Sequence, residues 1–552
     1  TVYLDELDLG MIKQGWGEAR ARESVLKKTL RLNGTKYKRG VGSHAPGRFH
    51  VTLDGKTTKF RAIVGVDDHV GKKGSVSAVF YCDGKKVYST GALKGAGKPA
   101  RVNLDLTGVR LLSVVMKSGD DGNSFDHFDW ADARFVCEGA SPVLVGRPDE
   151  EAIILTPKPA PAPRINGAKV FGIRPGSPFL FRIAATGERP MRFSVDSLPA
   201  GLAVDEASGI ISGVIQDRAP QTYKTLVRAE NAAGKAEREF RIVVGDTLAL
   251  TPPMGWNDWY AHYDRISQAM MCEAADIMVS TGMADVGYQY VNIDDCWMNT
   301  EKHADPKRVG PARDDNGDIL PNAYFPDMKG LADYIHAKGL KAGLYTSPGP
   351  KTCAGCTGAF GDEEQDAKKF ADWGYDFLKY DWCSYRRNAG DHSLEELKKP
   401  YFLISAALRK QNRDILLNLC QYGMGQVWKW GEEVGGHCWR TAGDLGFELN
   451  VYHAVARKNA EHHPYARPGA WNDPDYLQIG FVGDARVTGE PTPCPLTPSE
   501  QYSYMSLWCL MAAPLFYSGD MTQLDEFTLN VLCNPEVIEI DQDTLGKQGY
   551  PV

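Results

Sequence analysis

Short apolar segments alternate with longer amphipathic segments between residues 251 and 552. Eight of the apolar segments have the length of strands, and nearly all end in polar or aromatic residues. They occupy residues 254–258, 291–295, 343–345, 378–381, 417–421, 438–440, 471–475 and 515–518. Strands that alternate with helices predict a parallel sheet, and eight repeats predict a closed (β/α)8 TIM barrel over 247–552. In such barrels the C-terminal ends of the strands carry the active site.

The first 137 residues follow a different pattern, in which short apolar strands are separated by Asp-Gly and Lys-Gly turns. This pattern predicts an N-terminal antiparallel β-sandwich over 1–137. Residues 138–163 are rich in proline and predict a stiff, extended linker. Residues 164–246 alternate apolar and polar positions and predict a second, smaller β-sandwich. The fold class is therefore multidomain, with two β-sandwiches followed by the barrel.

Composition narrows the choice of partners. The 552 residues carry a net charge of −7, the isoelectric point is about 6.0, and no basic stretch is dense enough to predict nucleic-acid binding. No apolar run reaches the roughly 18 residues of a membrane span. The chain begins in strand-like sequence without a visible signal peptide, as a mature secreted protein would.

Two acids near strand ends suggest the chemistry. Asp381 closes the fourth apolar segment, and Lys379, two residues earlier, points to the same side of the strand. A neighbouring cation favours the ionised carboxylate, which is the form that a nucleophile requires. Asp444 follows the sixth segment and lies near Arg440. A pair of carboxylates is the minimum equipment of a glycosidase.

Ordered motifs extend this interpretation over the whole barrel. They are Met-Gly-Trp-Asn at 254–257, Ile-Asp-Asp-Cys-Trp-Met at 293–298, Lys-Thr-Cys-Ala-Gly at 351–355, Phe-Ala-Asp-Trp-Gly-Tyr-Asp-Phe-Leu-Lys-Tyr-Asp at 370–381, Trp-Arg-Thr-Ala-Gly-Asp at 439–444, Trp-Asn-Asp-Pro-Asp at 471–475 and Ala-Ala-Pro-Leu at 512–515. With these motifs the segment resembles the catalytic barrel of glycoside hydrolase family 27, the α-galactosidase family.

The resemblance implies a role for each matching residue. Asp381 matches the nucleophile and Asp444 the general acid/base, so we expect a low pKa for Asp381 and a raised one for Asp444. The expected sugar-binding residues are Trp256, Asp294, Asp295, Tyr345, Lys379, Cys383, Gln421, Arg440 and Asp475. Neither a cofactor nor a metal ion is implied. An alternative with Mg²⁺ on Asp294, Asp295 and Asp475 is disfavoured because Lys379 would repel the cation.

The predicted reaction is the retaining hydrolysis of terminal α-linked D-galactose from oligo- or polysaccharides, through a covalent glycosyl-enzyme. Many α-galactosidases carry an acid where Gln421 stands, whereas α-N-acetylgalactosaminidases carry small residues there. A β-L-arabinopyranoside or an α-glucan is a further alternative, as is a non-catalytic glycan-binding protein. Asp475 is followed by Tyr476 in place of the usual Met, and residues 299–325 form a long insertion suited to a lid or a subsite.

The other two segments also resemble known modules. Gly-Val-Gly-Ser-His-Ala at 40–45, Val-Gly-Val-Asp-Asp at 64–68 and Phe-Asp-Trp-Ala-Asp-Ala at 128–133 resemble the NPCBM module, which implies a glycan ligand. Trp16, His44 and Trp130 are its candidate sugar contacts, with core packing favoured for Trp130. Asp67 and Asp68 fit either turn capping or a Ca²⁺ site. The motifs at 198–202 and 209–213 resemble an immunoglobulin-like module, for which we favour a spacer role.

Twelve cysteines bear on compartment and stability. The family resemblance implies a Cys353–Cys383 disulfide, which indicates an oxidising compartment and a secreted or periplasmic protein. Cys356 completes a Cys-x-x-Cys pattern, but a single such pattern is weak evidence for zinc. Cys296 lacks its usual upstream partner, and Cys420 and Cys438 are expected to be buried thiols. The C-terminal β-domain that normally follows this barrel is not expected within the sequence.

Overall fold

The computed structural model describes residues 1–53, 55–119, 122–139, 141–146, 150–391, 393–445, 451–482 and 489–552. The chain divides into two compact units, Thr1–Glu150 and Glu151–Val552. Each unit is built from the elements that the hydrophobic pattern predicts, and the two are described separately.

The first unit contains two mostly antiparallel sheets. One sheet has six strands, ordered Ala100–Asp105, Thr57–Val66, His127–Cys137, Gly40–His44 and Arg20–Ala21, with Val2–Tyr3 beside His127–Cys137. The other has seven strands, of which five are ordered Lys85–Ser89, Ser75–Cys82, Leu111–Ser118, Gly47–Thr52 and Val143–Val145. Of the remaining two, Leu93–Lys94 pairs with Ser75–Cys82 and Lys13–Gln14 pairs with Gly47–Thr52. A short ribbon pairs Arg31–Leu32 with Thr35–Lys36. The predicted antiparallel β-fold is confirmed.

Aromatic side chains fill the core of the first unit. Trp130 is fully buried, packs edge-on against Phe49 with ring centroids 5.2 Å apart, and donates its indole N–H to Ser43 Oγ at 3.0 Å. The core-packing role of Trp130 is thus confirmed, and its ring offers no face to a sugar. Val143–Val145 lies in the predicted linker, but it pairs with Gly47–Thr52 and forms an edge strand of the second sheet.

The second unit starts with a small immunoglobulin-like fold. Its four-stranded sheet is ordered Val170–Ile173, Gly234–Val244, Gln221–Asn231 and Arg192–Asp196. A three-stranded sheet of Phe179–Arg182, Ile210–Gly213 and Leu202–Val204 faces a common core, and Arg164–Ile165 pairs with Ala185–Thr186. Part of the proline-rich segment is docked rather than free, because Thr156 Oγ1 donates to the Asn530 carbonyl at 2.7 Å.

Eight parallel strands form the barrel that follows. They are Met254–Asn257, Tyr290–Asn292, Lys341–Thr346, Phe377–Asp381, Leu416–Cys420, Cys438–Arg440, Trp471–Asp473 and Leu515–Tyr517. The first seven strands pair in sequence order, and the first also pairs with the eighth. A bridge between Leu477 and Tyr517 closes the ring between the seventh and eighth strands. All eight predicted strands are present, so the predicted (β/α)8 barrel is confirmed.

Helices surround the strands. They are Gln268–Ser280, Met328–Ala337, Glu363–Trp373, Leu394–Arg409, Tyr452–Ala460, Pro498–Leu510, Glu526–Leu532 and Pro535–Asp541, with short helices at Trp259–His262 and Met283–Val286. Several begin at a side chain that caps the first turn, such as Ser267, Ser393 and Thr497. The fifth strand is followed by a 3-10 stretch, Met424–Lys429, instead of a long helix.

The immunoglobulin-like fold packs against the N-terminal end of the barrel. Asn166 Nδ2 donates to the Asp285 carbonyl at 2.9 Å, and Arg182 Nη1 donates to the Lys338 carbonyl at 3.1 Å. Arg174 forms an ion pair with Asp414, with Nε 2.6 Å from Oδ1. These three barrel residues precede the second, third and fifth strands. The contacts therefore leave the opposite end, where the predicted site residues lie, free of this module.

Candidate active site

The predicted site residues meet at the C-terminal ends of the barrel strands. Asp381 ends the fourth strand, and Asp294 and Asp295 follow the second. Gln421, Asp444 and Asp475 follow the fifth, sixth and seventh strands. Because parallel strands of a barrel end at the same rim, residues far apart in sequence converge there.

Asp381 is held from both sides by tyrosine hydroxyls. Tyr422 Oη donates to Oδ1 at 2.7 Å, and Tyr345 Oη donates to Oδ2 at 3.0 Å. Burial raises the pKa of Tyr422, so its hydroxyl stays protonated and remains a donor. The Asp381 carboxylate therefore has a fixed orientation. Tyr345 is one of the predicted sugar-binding residues, whereas Tyr422 is not.

The expected low pKa of Asp381 is not found. Burial raises the pKa of this carboxyl above its ordinary value, and the charge of Asp444 acts in the same direction. Lys379 and the hydrogen bond from Tyr422 lower it, but less than burial raises it. The sequence shows the neighbouring cation, but it does not show that the carboxylate is only 6% exposed.

Lys379 makes its direct contact with Asp294. Its Nζ lies 2.9 Å from Asp294 Oδ2, and Asn257 Nδ2 donates to the same oxygen at 2.9 Å. Although burial acts to lower it, the pKa of the Lys379 ammonium is raised well above its ordinary value by the Asp294 carboxylate. Tyr476, which stands where the family usually has Met, lies beside this pair, with its ring centroid 5.1 Å from Lys379 Nζ.

Backbone N–H groups orient Asp295. Ala354 N donates to Oδ2 at 2.9 Å, and Cys296 N donates to Oδ1 at 2.7 Å. Burial raises the pKa of Asp295 to about 6, against the opposing effect of the Ala354 hydrogen bond. Ala354 belongs to the loop after the third strand, so this loop and the second strand together position the carboxylate.

Arg440 links the second predicted catalytic acid to Asp475. Its Nη2 lies 3.1 Å from Asp444 Oδ1 and 3.1 Å from Asp475 Oδ2. Asp475 also accepts hydrogen bonds from Tyr260 Oη at 2.7 Å and Leu445 N at 2.8 Å. Burial raises the pKa of Asp475 to about 6, while Arg440 acts to lower it. The Asp444 side chain is 52% exposed, so solvent can exchange protons with it, unlike with the buried Asp381.

Gln421 is buried, yet its amide group is unpaired. It follows Cys420, whose Cα lies opposite that of Asp381 in the sheet register. Neither Nε2 nor Oε1 has a hydrogen-bond partner among the described residues. A buried amide without partners is costly, which indicates that a ligand or solvent completes its hydrogen bonds.

The aromatic wall differs from the prediction. Trp256 is fully buried and donates its indole N–H to the Gly519 carbonyl at 2.8 Å, so it supports the barrel and offers no face to a sugar. Trp259, three residues later, is partly exposed, and its backbone N–H bonds to Asn257 Oδ1 at 3.0 Å. Asn257 in turn donates to Asp294, so the Trp259 backbone lies beside the site. Sequence reasoning missed Trp259 because it lies outside the Met-Gly-Trp-Asn motif at 254–257.

The predicted disulfide is confirmed. Cys353 and Cys383 are bonded, which ties the loop after the third strand to the residue following Trp382. Cys383 Sγ lies 3.4 Å from Tyr345 Oη, the same hydroxyl that donates to Asp381. Cys420 and Cys438 are buried free thiols, as predicted. Within the described ranges, no helix is long and apolar enough to cross a membrane.

The magnesium alternative finds no support in this geometry. Asp294 and Asp475 each have a buried cationic partner, Lys379 and Arg440 respectively. The described residues that could hold a metal ion in groups of three are Asp295, Cys296 and Cys356, and separately Cys353, Asp381 and Cys383. The second group contains the two disulfide sulfurs, which are poor ligands.

The first unit carries its own candidate site. Trp16 is 52% exposed, and its ring centroid lies 5.5 Å from both His44 and His127. Asp67 Oδ1 accepts the His69 N–H, and Asp68 accepts N–H groups of residues 33 and 34. Both carboxylates thus act as caps, which was one of the two predicted alternatives.

Comparison with known proteins agrees with this geometry. Residues 251–543 match the family described as alpha galactosidase A, 1–136 match the NPCBM/NEW2 domain, and 162–245 match an Ig domain family. Alpha-galactosidase 2 of Arabidopsis thaliana is 39% identical over 315 residues, which cover 56% of this chain and 72% of that protein. Alpha-galactosidase A of Cellvibrio japonicus is 38% identical over 317 residues, covering 55% and 70%.

A solved structure extends the likeness beyond the barrel. A Bacteroides fragilis protein assigned to the alpha-galactosidases/melibiases is 39% identical, with a TM-score of 0.64 over 70% of this chain and 80% of that one. The matching family model covers more than half of the sequence. The chain therefore belongs to the alpha-galactosidase A family, glycoside hydrolase family 27, and is a glycoside hydrolase.

Proposed function

We propose that this enzyme removes terminal α-linked D-galactose from oligo- or polysaccharides with retention of configuration. The observation that carries the proposal is the pairing of two unequal carboxylates. Asp381 is buried and fixed by two tyrosine hydroxyls, whereas Asp444 is half exposed and bound to Arg440. A rigid carboxylate suits a nucleophile, and a solvent-connected one suits an acid that must regain its proton.

The proposed reaction has two steps. Asp381 attacks the anomeric carbon while Asp444 protonates the departing glycosidic oxygen, which leaves a covalent glycosyl-enzyme. Asp444 then removes a proton from water, and that water displaces Asp381. A raised pKa makes the Asp381 carboxylate a stronger nucleophile in the first step and a poorer leaving group in the second, and both steps need a working pH that keeps it ionised.

Fixed acids support recognition of the sugar hydroxyls. Asp294 and Asp295 are the proposed partners of the 6- and 4-hydroxyls, because carboxylates form strong charge-assisted hydrogen bonds. Asp475 and Arg440 are proposed as further contacts, and Lys379 holds Asp294 in place. Trp259 replaces Trp256 as the proposed aromatic wall, because Trp259 is partly exposed whereas Trp256 is fully buried.

Gln421 supports galactose over N-acetylgalactosamine. Its unpaired amide can both donate to and accept from a 2-hydroxyl group, which removes the cost of its burial. A 2-acetamido group would need space that Gln421 and Tyr422 fill, since Tyr422 is anchored to Asp381. A β-L-arabinopyranoside lacks the 6-hydroxyl that we assign to Asp294.

Initial rates on three aryl glycosides test the substrate: an α-D-galactoside, an α-N-acetylgalactosaminide and a β-L-arabinopyranoside. We expect the wild type to hydrolyse the α-galactoside faster than the other two substrates. Asp381→Gly should lose this hydrolysis. The control Asp372→Asn, which alters an exposed acid paired with Lys368, should keep it. Circular dichroism of each variant checks folding. A folded enzyme that prefers another of the three glycosides would contradict the proposal.

We also propose a glycan ligand for the first unit, at Trp16, His44 and His127. Burial lowers the pKa of both histidines, so they are neutral near pH 7. Their Nδ1 atoms are buried without a partner among the described residues. A neutral imidazole can bond sugar hydroxyls while an exposed indole stacks on the apolar face of the ring.

Titration of the Asp381→Gly protein with a galactose-terminated oligosaccharide tests this second site. Trp16→Ala should remove one binding event, whereas Phe402→Ala, an exposed aromatic on a barrel helix, should not. Unchanged stoichiometry and affinity in Trp16→Ala would contradict it. We propose the division into 1–137, 138–163, 164–246 and 247–552 with one amendment, that Val143–Val145 belongs to the first sandwich. The disulfide supports a secreted or periplasmic location.

A further inference from the structure

Two free thiols lie beside the sugar-binding carboxylate Asp295. Cys296 directly follows Asp295, and Cys356 lies in the loop after the third strand. Both are buried, and their sulfur atoms and a carboxylate oxygen of Asp295 all lie within 4.8 Å of one another. The two residues come from separate parts of the barrel rim, so their approach is a product of the fold.

The backbone on each side of this pair is fixed. The Cys296 carbonyl accepts hydrogen bonds from Asn322 Nδ2 at 2.7 Å and Arg308 Nη1 at 3.2 Å. Cys356 N donates to Thr352 Oγ1 at 3.0 Å, and its carbonyl accepts from Thr352 N at 2.9 Å. The two sulfur atoms lie within 4.8 Å of each other, and rotation about the Cα–Cβ bonds changes this separation toward the disulfide distance of about 2.05 Å.

We propose that Cys296 and Cys356 form a second, reversible disulfide. A small-molecule disulfide such as oxidised glutathione is the oxidant. The two thiols lose two protons and two electrons, one sulfur–sulfur bond forms in the protein, and the oxidant is reduced to two thiols. The hydrogen bond from Cys356 and burial raise the pKa of Cys296, so little thiolate is present and the exchange is slow in the folded protein.

The bond would fasten the loop on both sides of its contact with Asp295. Cys353 already ties the loop to Cys383, after the fourth strand. Cys356 would tie it to Cys296, after the second strand, with Ala354 between the two anchors. Ala354 N donates to Asp295 Oδ2, so the oxidised form should hold this carboxylate more firmly. This consequence rests on the proposed sugar-binding role of Asp295, whereas the bond itself does not.

Peptide mapping tests the bond. The full chain is equilibrated in buffers of graded oxidised-to-reduced glutathione ratio, both when native and during refolding from urea, so that burial does not block the reaction. Free thiols are alkylated, and a digest without reductant is examined by mass spectrometry. Two of the twelve cysteines form the known disulfide, leaving ten free thiols. Oxidation should reduce the titratable thiols from ten to eight and yield a peptide joining Cys296 to Cys356.

Variants sharpen the outcome. Cys356→Ser should abolish the linked peptide, and Cys272→Ser, which removes a thiol elsewhere, should leave it intact. The oxidised wild type should melt about 5 °C above the reduced form, with no such difference in Cys356→Ser. Recovery of Cys296 and Cys356 as separate alkylated peptides at every ratio, or as disulfides with other cysteines, would overturn the proposal. Failure on every galactoside would leave the mapping result unaffected and would count only against the proposed function.

Discussion

Lys379 and Asp294 form a buried ion pair at the barrel mouth, with Nζ 2.9 Å from Oδ2 and both side chains nearly excluded from solvent. A third residue, Asn257, donates to the same carboxylate oxygen. The pair couples the strand that ends in Asp381 to the strand that precedes Asp294 and Asp295, the proposed sugar-binding acids. Charge at this position therefore serves both the geometry of the site and the ionisation of Asp381.

Replacing Lys379 with Met should destabilise the protein by roughly 3–5 kcal/mol, because Asp294 would keep a buried charge without its partner. The measurement is urea unfolding at pH 7 followed by tryptophan fluorescence. Lys368→Met is the matched control, since Lys368 pairs with Asp372 on an exposed helix face and should cost below about 0.5 kcal/mol. Equal losses in the two variants would contradict a buried role for Lys379.

Removing the Tyr422 hydroxyl should slow the reaction and move its pH profile. Tyr422→Phe deletes the hydrogen bond that Tyr422 donates to Asp381 Oδ1. Because this hydrogen bond lowers the pKa of the Asp381 carboxyl, its loss should raise that pKa. The acidic limb of kcat/KM should therefore shift to higher pH, and kcat should fall about 10- to 100-fold. Tyr385→Phe, which removes a hydroxyl bonded to Glu396 instead, is the control. An unshifted acidic limb would argue against Tyr422 as a positioning residue for Asp381.

The free energy of unfolding should depend on pH through the protonation of Asp475. Its folded-state pKa of about 6 lies above the unfolded value of about 3.9, so the folded protein binds the proton more tightly. The resulting stabilisation is complete below about pH 4 and is lost as pH rises through about 6, amounting to on the order of 3 kcal/mol. Asp475→Asn cannot titrate and should lack this loss. In unfolding curves at pH 4.5, 5.5, 6.5 and 7.5, the wild type should lose this stabilisation as pH rises and Asp475→Asn should not. The same pH dependence in both proteins would refute the raised pKa of Asp475.

Shortening Gln421 should relax sugar selectivity. Gln421→Ala removes the proposed partner of the 2-hydroxyl and opens space beside it, so KM for the α-galactoside should rise about 10-fold. The ratio of kcat/KM for the galactoside to that for the N-acetylgalactosaminide should fall. Gln411→Ala, at a helix end away from the site, should leave this ratio unchanged. A preserved ratio in Gln421→Ala would place the 2-substituent elsewhere.

The barrel was predictable because its eight strands each end in polar or aromatic residues. The antiparallel sandwich followed from alternating positions and Gly turns, whereas Val143–Val145 was missed because its valines border a proline-rich segment. A three-residue strand is too short to show an alternation of apolar and polar residues, so the proline-rich composition of the segment decided the prediction. The immunoglobulin-like fold contacts the N-terminal end of the barrel through charged residues such as Arg174 and Asp414. No local sequence pattern distinguishes these residues from other surface charges.

Within the site, sequence identified the acids but not their surroundings. Lys379 suggested a low pKa for Asp381, but burial raises this pKa by more than Lys379 lowers it. Burial depends on residues from many parts of the chain, so the local sequence does not show it. Trp256 lies in the first strand and is fully buried, whereas Trp259 begins the short helix after that strand and is partly exposed, a difference that the sequence does not show. Tyr422 reaches Asp381 from a neighbouring strand, a contact that depends on the register of Asp381 with Cys420.

The most direct test of the two catalytic roles is the configuration of the azide products. Asp381→Gly and Asp444→Ala are each incubated with an activated aryl α-galactoside and sodium azide, and products are identified by NMR. Without its nucleophile, Asp381→Gly should give the β-galactosyl azide by a single inversion. Asp444→Ala should still form the glycosyl-enzyme and give the α-galactosyl azide. The same anomer from both variants, or turnover by Asp381→Gly that needs no azide, would contradict Asp381 as nucleophile and Asp444 as acid/base.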